Sequence, residues 1–284
     1  MSKVNPLSNV AVTIESYGVT IRLEANDDST LNALLDAAAK ALLDNIRIVQ
    51  NSVETRHVLG VFATPDGGYR QRRDGKWLGT LPSFDLALDF FIRMIRLKVS
   101  EFSIGKVFVH AGVVGWNGKA IVIPANSGAG KTTLVIELVR LGAEYYSDEY
   151  AVLDENGMLF PFTRDLSVRS AEKAWNEKDG VPVESFGGKR GTQPIPIGTV
   201  FITEYIPNSV WKPERLTTGN GILEAILHTI PLRVNAEFSL NVLKNALSRA
   251  IILKSPRPDA AETAEKLLSF IDKQADLETK SHIG

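Results

Sequence analysis

Cysteine is absent from this chain of 284 residues. Its absence excludes disulfides, thiolate metal ligands and a cysteine nucleophile, and it fits a reducing compartment. Histidine is also scarce, and none of the histidines has the spacing of a metal-binding motif such as HExxH. The sequence therefore predicts no intrinsic zinc site. The four histidines are His57, His110, His228 and His282.

The sequence has no excess charge of either sign, with 32 lysines and arginines against 33 aspartates and glutamates. A formal net charge of -1 provides no global field that would attract nucleic acid or an anionic membrane. One basic cluster, Arg70–Lys76, is compatible with nucleic-acid binding, but its place at a predicted hairpin tip favours a solvated turn. We expect neither nucleic acid nor a membrane as a partner.

Long hydrophobic runs are missing as well. The longest apolar-looking stretch, Leu86–Leu97, is interrupted by Asp89, Arg93 and Arg96. The first residues contain no continuous apolar segment typical of a secretory leader. The sequence therefore predicts a cytoplasmic protein.

Two domains are expected, and residues 1–104 are predicted to form a small α+β domain. Tyr17-Gly18 separates two β-rich runs and indicates a hairpin, and Asp27–Ser29 offers cap residues for the first helix. The predicted strands are Val10–Ile14, Val19–Leu23 and His57–Ala63, and the predicted helices are Thr30–Leu43 and a segment from Ser83 to about Val99.

Residues 105–284 are predicted to form a larger α/β domain with mixed sheets. Asn117-Gly118 is well suited to a type I′ turn between two strands, and Glu177–Gly198 is predicted to be a long mobile loop that closes over an active site. The predicted strands are Val107–Trp116, Lys119–Ile123, Glu144–Leu153 and Val200–Tyr205. The predicted helices are Thr132–Leu141, Gly221–Thr229, Ala236–Leu247 and Ala260–Gln274.

A glycine-rich segment, Pro124–Thr133, matches the phosphate-binding pattern GxxxxGK[ST] except that Ala125 replaces the first glycine. It follows an apolar strand and opens an amphipathic helix, which is the context that a phosphate-binding loop requires. The alternative is a strand-to-helix turn with an exposed lysine. The residues expected to bind the nucleotide are Asn126, Ser127, Gly128, Ala129, Gly130, Lys131, Thr132 and Thr133.

Asp148 follows Lys131 by a distance that lets a helix and a short turn return the chain beside the loop. We expect it near the γ-phosphate, where Thr132, Asp148 and Glu149 are candidate Mg²⁺ ligands. The alternative for Asp148 is a solvated acidic turn, and Glu149 is expected to point to the opposite side of its strand. His110 lies among apolar residues, a pattern more typical of a core histidine than of a catalytic one.

Between about Val107 and Arg169 the sequence resembles the HPr serine kinase/phosphorylase family and its divergent HPr-kinase-like relatives. The shared pattern consists of Val109–Val113, Asn126–Thr132, Tyr146–Glu149, Phe160–Arg164 and Leu166–Arg169. The resemblance covers about sixty residues and does not extend to the N-terminal hundred. It is specific in its combined spacing, although the second signature segment of true HPr kinases is matched at most in part, by Phe186–Arg190.

This resemblance implies a P-loop kinase core of the HPr kinase and phosphoenolpyruvate carboxykinase type. It implies that Lys131 and Thr132 hold ATP and Mg²⁺, that Asp148 is the acid/base group, and that His110 lies beside it. Basic residues at Arg164 and Arg169 would contact phosphate or substrate, or form surface ion pairs. Lys189 and Arg190 are further candidates for phosphate contact through closure of the long loop.

The sequence therefore predicts a Mg-ATP-dependent kinase that transfers the γ-phosphoryl group to a serine-like hydroxyl of a peptide, protein or small molecule. The alternative is an ATP-binding regulatory module that transfers no group. Relatives suggest a homo-oligomer, although no segment of this sequence by itself indicates an interface.

Overall fold

The computed structural model describes residues 9–50, 55–126, 128–168 and 179–281, which form two compact units, residues 1–105 and 106–284. Both units mix helices with β-sheet. The strands are β1 Val10–Ser16, β2 Val19–Ala25, β3 Arg47–Val49, β4 His57–Ala63, β5 Tyr69–Arg73, β6 Lys76–Leu81, β7 Lys106–Trp116, β8 Lys119–Pro124, β9 Glu144–Ser147, β10 Tyr150–Asp154, β11 Met158–Phe160, β12 Leu166–Val168, β13 Asp179–Val181, β14 Ile195–Tyr205, β15 Glu214–Arg215 and β16 Ile251–Arg257. The α-helices are α1 Asp28–Ala41, α2 Phe84–Phe102, α3 Lys131–Arg140, α4 Thr218–Ile226, α5 Ala236–Leu247 and α6 Ala260–Ser281, and the 3-10 helices are Val183–Phe186 and Ile230–Arg233.

The N-terminal unit is a six-stranded sheet with the strand order β3-β1-β2-β4-β5-β6, on which α1 and α2 pack. Its first hairpin turns at Tyr17 and Gly18, whose φ angles of 48° and 76° confirm the predicted turn. Asp27 and Ser83 accept hydrogen bonds from the first turns of α1 and α2, so both helices begin at polar caps that the sequence indicates.

The C-terminal unit is built around an eight-stranded sheet, in which seven strands have the order β11-β10-β7-β8-β14-β16-β15 and the eighth, β9, pairs with β7. The strands β8, β14 and β16 are parallel, so their carboxyl ends lie at one edge of the sheet. Strand β11 pairs with both β10 and β14. The hairpin between β7 and β8 turns at Asn117 and Gly118 with φ angles of 51° and 73°, as predicted.

Alternating side chains of the central strands fill two cores, one on each face of this sheet. Val113 and Val122 face the core that includes α4 and α5, while Val114 and Ile121 face the core that includes α3 and α6. Helices therefore cover both faces, as in a mixed α/β fold. Within the part of the chain that the structure describes, no helix is long and apolar enough to cross a membrane.

The segment Glu144–Leu153 forms two strands, where the sequence pattern predicts one. The Ser147 hydroxyl accepts hydrogen bonds from the backbone N–H groups of Glu149 and Tyr150, at 3.0 Å and 2.9 Å, and this local turn ends β9. Asp148 and Glu149 consequently lie in a bend and not in a strand, so strand alternation does not determine which sides their side chains face.

The described part of the predicted mobile loop, residues 179–198, is more ordered than its glycine and proline content indicates. It contains β13 and a 3-10 helix, and it buries Val183 completely. Backbone hydrogen bonds join Tyr145 to Lys189 and Gly191, both at 2.8 Å. The glycines allow close packing here, because an added Cβ at Gly191 would lie 2.0 Å from the Tyr146 ring.

Replacing Gly157 by alanine should destabilise the protein more than the same change at Gly118. Both glycines have left-handed φ angles, 79° and 73°, so both variants lose about 1 kcal/mol through backbone strain. A methyl group at Gly157 would also lie 2.4 Å from the Ala246 nitrogen, whereas the space around Gly118 is open. That overlap should add about 1–3 kcal/mol. Thermal unfolding of the two variants tests this, and equal losses would contradict it.

Candidate functional site

The glycine-rich segment forms a tight connection between the end of β8 at Pro124 and the start of α3 at Lys131. Gly128 and Gly130 have φ angles of 89° and 79°, in the region that side chains disfavour. Gly130 is the N-cap of α3, so the connection ends directly at a helix N-terminus. Unpaired backbone N–H groups and the helix dipole make such a terminus favourable for anions. Ser127 lies outside the described residues.

Lys131 closes this loop from within. Its side chain is only 7% exposed, and its Nζ donates to the carbonyl oxygens of Ala125 at 2.7 Å and Asn126 at 2.9 Å. The ammonium group is thereby held across the loop rather than in solvent. Ala125 is not among the residues with positive φ, so a methyl group is accommodated at this first position.

Asp148 lies against the first turn of α3. Its side chain is 6% exposed, and its Oδ2 accepts from the Thr132 hydroxyl at 3.1 Å and from the Ser167 backbone N–H at 2.9 Å. Its Oδ1 accepts from the Tyr145 hydroxyl at 3.2 Å. The solvated acidic turn that the sequence left open does not describe this buried, hydrogen-bonded carboxylate.

Tyr145 is a fully buried donor to that carboxylate. Burial raises the pKa of its phenol, and the adjacent Asp148 raises it further, so the hydroxyl keeps its proton. Tyr145 is also held through its backbone, because its N–H donates to Lys189 and its carbonyl accepts from Gly191. The position of Asp148 therefore depends on the 189–191 segment as well as on α3.

Glu149, a candidate metal ligand, forms an ion pair with Arg164. Both side chains are partly buried, with exposures of 23% and 20%. The sequence predicts the Glu149 carboxylate as a metal ligand and the Arg164 guanidinium as a phosphate contact. In the structure the two groups bind each other. Arg169 lies outside the described residues.

His110 lies on β7 next to the start of the loop, since its carbonyl oxygen accepts from the Ala125 backbone N–H at 3.4 Å. It lines a cavity of about 320 Å³ together with Asn126, Tyr150 and His228. Burial lowers the pKa of His228, and the nearby Lys131 lowers it further, so this imidazole is neutral at pH 7. The cavity therefore joins the loop to two histidines, of which sequence reasoning singled out only His110.

Lys189 is exposed, whereas Arg190 is held by several acceptors. The Arg190 guanidinium donates to Glu184 at 2.9 Å, to Asp165 at 2.8 Å and to the Thr163 carbonyl at 2.6 Å. These carboxylates raise the pKa of Arg190 and fix the side chain. Its contacts here are those of a surface ion-pair network.

Arg257, at the end of β16, is a residue of this site that sequence reasoning missed. It is 4% exposed, and its Nη2 donates to the carbonyl oxygens of Ala129 at 2.9 Å and Gly130 at 3.2 Å. A Cβ at Gly130 would lie 2.3 Å from this nitrogen, so a side chain there would displace the guanidinium in addition to straining the left-handed φ. Burial lowers the pKa of the Arg257 guanidinium, and the nearby Asp259 opposes this effect.

The side chains that the structure describes do not include three or more histidines, aspartates and glutamates grouped as a metal site. The candidate Mg²⁺ ligands that do come together are oxygens, the Thr132 hydroxyl and the Asp148 carboxylate. Mg²⁺ prefers such hard oxygen donors, and it is commonly bound through one or two carboxylates together with substrate phosphates. The residues present fit that pattern.

Comparison with known proteins gives a limited result. No family model matches the chain, and no curated protein matches it. Among solved structures, the chain is similar to an HPr(Ser) kinase/phosphatase from Coxiella burnetii, with 14% sequence identity and a TM-score of 0.31. The similarity covers 61% of this chain and 98% of that chain.

The Glu149–Arg164 ion pair should be detectable as a coupling between the two residues. Arg164→Gln and Glu149→Gln should each lower the free energy of unfolding by about 1–2 kcal/mol, because each leaves a partly buried charge without its partner. The double variant should lose less than the sum of the two. A double-mutant cycle in chemical denaturation measures this coupling. Strict additivity would mean that the ion pair contributes nothing to stability.

Proposed function

We propose that this chain is a Mg-ATP-dependent phosphotransferase whose acceptor is a serine-like hydroxyl of a peptide, protein or small molecule. The observation that carries the proposal is the hydrogen bond between Thr132, directly after the loop lysine, and the buried Asp148. It brings a helix N-terminus, a lysine and a carboxylate into one site. Phosphoryl transfer needs little beyond such positioning and charge neutralisation.

Each part of the loop has a distinct task in this proposal. The backbone N–H groups at the start of α3 bind phosphate oxygens, and Lys131 places its charge against the β- and γ-phosphates. Thr132 and Asp148 provide oxygen ligands for Mg²⁺, which neutralises charge on the phosphates when bound. A hydroxyl that binds a cation through an oxygen lone pair keeps its proton, so Thr132 would still be able to donate to Asp148.

The acceptor hydroxyl would enter from the cavity of about 320 Å³ that His110 and Asn126 line beside the loop. Asp148 is the proposed group that orients this hydroxyl and takes its proton. Among the described residues, Oδ1 of Asp148 accepts only from the Tyr145 hydroxyl, so its second lone pair would be the one that meets the acceptor. His110 lines the approach and could contact the acceptor directly.

One observation favours a second candidate function, an ATP-binding regulatory module that transfers no group. Both carboxylate oxygens of Asp148 already accept hydrogen bonds, from Thr132, Tyr145 and Ser167. Through these hydrogen bonds Asp148 connects α3 to Tyr145 and Ser167, so a change at α3 on nucleotide binding would be transmitted to them. The two candidates differ in whether a phosphorylated acceptor forms.

Lys131→Ala should abolish stabilisation by Mg-ATP, because the loop loses its fixed positive charge and the lysine contacts that span it. Lys273→Ala removes an exposed lysine from α6 and serves as the control. Thermal unfolding with and without Mg-ATP measures the shift. The control should respond like the wild type, and an equal response of Lys131→Ala would rule out nucleotide binding at this loop.

Asp148→Asn should separate binding from transfer. Asparagine keeps the shape but cannot act as a base, so turnover should fall by about 10²–10⁴-fold while the affinity for ATP changes little. If Asp148 acts mainly through Mg²⁺, ATP binding should instead weaken only when the metal is present. Labelled ATP incubated with a fractionated extract identifies the acceptor needed for the assay. Full transfer activity of the variant would contradict the role of Asp148 as a base.

A further inference from the structure

The glycine-rich loop lies between two different parts of the sheet. Strand β8, which leads into the loop, has β7 on one side and β14 on the other. His110 belongs to β7, and Asp148 lies in the bend between β9 and β10, which also pair with β7. The reactive end of a bound nucleotide would therefore face the β7 side. In-line transfer requires the acceptor on that side as well, which leaves the β14 side for the rest of the nucleotide.

The β14 side carries two residues that extend past the end of β8. Val200 of β14 is level with Val122 of β8, so β14 continues beyond Pro124 as far as Tyr205. Tyr205 is directly opposite Arg257 in the parallel pairing of β14 and β16. In parallel sheets with helices on both faces, ligands bind outside the carboxyl ends of the strands. Tyr205 and Arg257 occupy that edge.

The side chain of Tyr205 is exposed and not part of the core, so a ligand can reach it. It is 52% exposed, and it is followed by the exposed Ile206 and Val210, at 44% and 75%. The guanidinium of Arg257 lies over the Tyr205 ring, with 5.3 Å between its Cζ and the ring centroid. One part of the ring is thus covered by a buried cation, and the remainder is accessible to a flat ligand.

Arg257 connects this surface to the phosphate loop. Its Nη2 donates to the Ala129 and Gly130 carbonyls, and these two hydrogen bonds hold the guanidinium against the glycine-rich loop. Lys131 and Arg257 are two buried cations that approach the same loop from different elements. A ligand bound here would have a polyanionic part at the loop, and a flat part of the same ligand would lie beside Tyr205.

We propose that Tyr205 and Arg257 form the subsite for the nucleoside part of the bound nucleotide, with the base stacked on Tyr205. This inference rests on the proposed binding of nucleotide phosphates at the glycine-rich loop. Arg257 acts as a positioning residue that fixes this subsite relative to the loop. Stacking is tolerant of base identity, so the subsite takes nucleoside triphosphates as a class.

Calorimetric titrations with Mg-ATP and with inorganic tripolyphosphate separate the nucleoside contribution from the phosphate contribution. Tyr205→Ala should weaken ATP binding about tenfold and leave tripolyphosphate binding unchanged, because only ATP carries a base. Tyr205→Phe keeps the ring and should bind both ligands like the wild type. Val234→Ala, which shortens another exposed apolar side chain, is the matched control.

Arg257→Met should weaken binding of both ligands, because the loop loses the donor that holds the Ala129 and Gly130 carbonyls. Circular dichroism of each variant establishes that it is folded before titration. A Tyr205→Ala protein with the wild-type ratio of ATP to tripolyphosphate affinity would overturn this inference and leave the proposed function intact. A wild-type protein that binds neither ligand would overturn both.

Discussion

The site depends on how a buried ammonium group is accommodated. Lys131 is almost inaccessible, and its Nζ bonds to the carbonyls of Ala125 and Asn126 at the far end of the loop. A buried charge is costly unless polar groups surround it, so these carbonyls favour the closed shape of the loop. That shape in turn determines where α3 begins and where Thr132 meets Asp148. The arrangement of the whole site follows from the way this one charge is held.

The order of the strands divides the proposed chemistry between two sides of the loop. His110 and Asp148 lie on the β7 side, and Tyr205 and Arg257 lie on the β14 side. An elongated nucleotide bound across the loop would use both sides at once. Strand β11 pairs with both β10 and β14, so backbone hydrogen bonds through β11 also join the two sides.

Local sequence signals predict much of the C-terminal unit, whereas contacts between segments that are distant in the chain could not be predicted. Asn117-Gly118 has few alternatives to a tight turn, and the spacing from Lys131 to Asp148 suits a helix that returns beside its own start. Arg257 was missed because Pro256 and Pro258 flank it and are typical of a break. The strand forms there because β14 provides a parallel edge, and Pro256 lies past the last residue paired with β15. The contact of Arg257 with residues far away in the chain leaves no periodic pattern in the sequence.

Ala125 shows which positions of such a loop need glycine for their geometry. Positive φ angles occur at Gly128 and Gly130, and the crowding by Arg257 falls on Gly130. The first position contributes its carbonyl oxygen to Lys131, which any residue type provides. The backbone geometry therefore restricts the choice of residue next to the lysine and leaves it open at the start of the loop. A loop of this geometry can lack the first glycine of the usual signature.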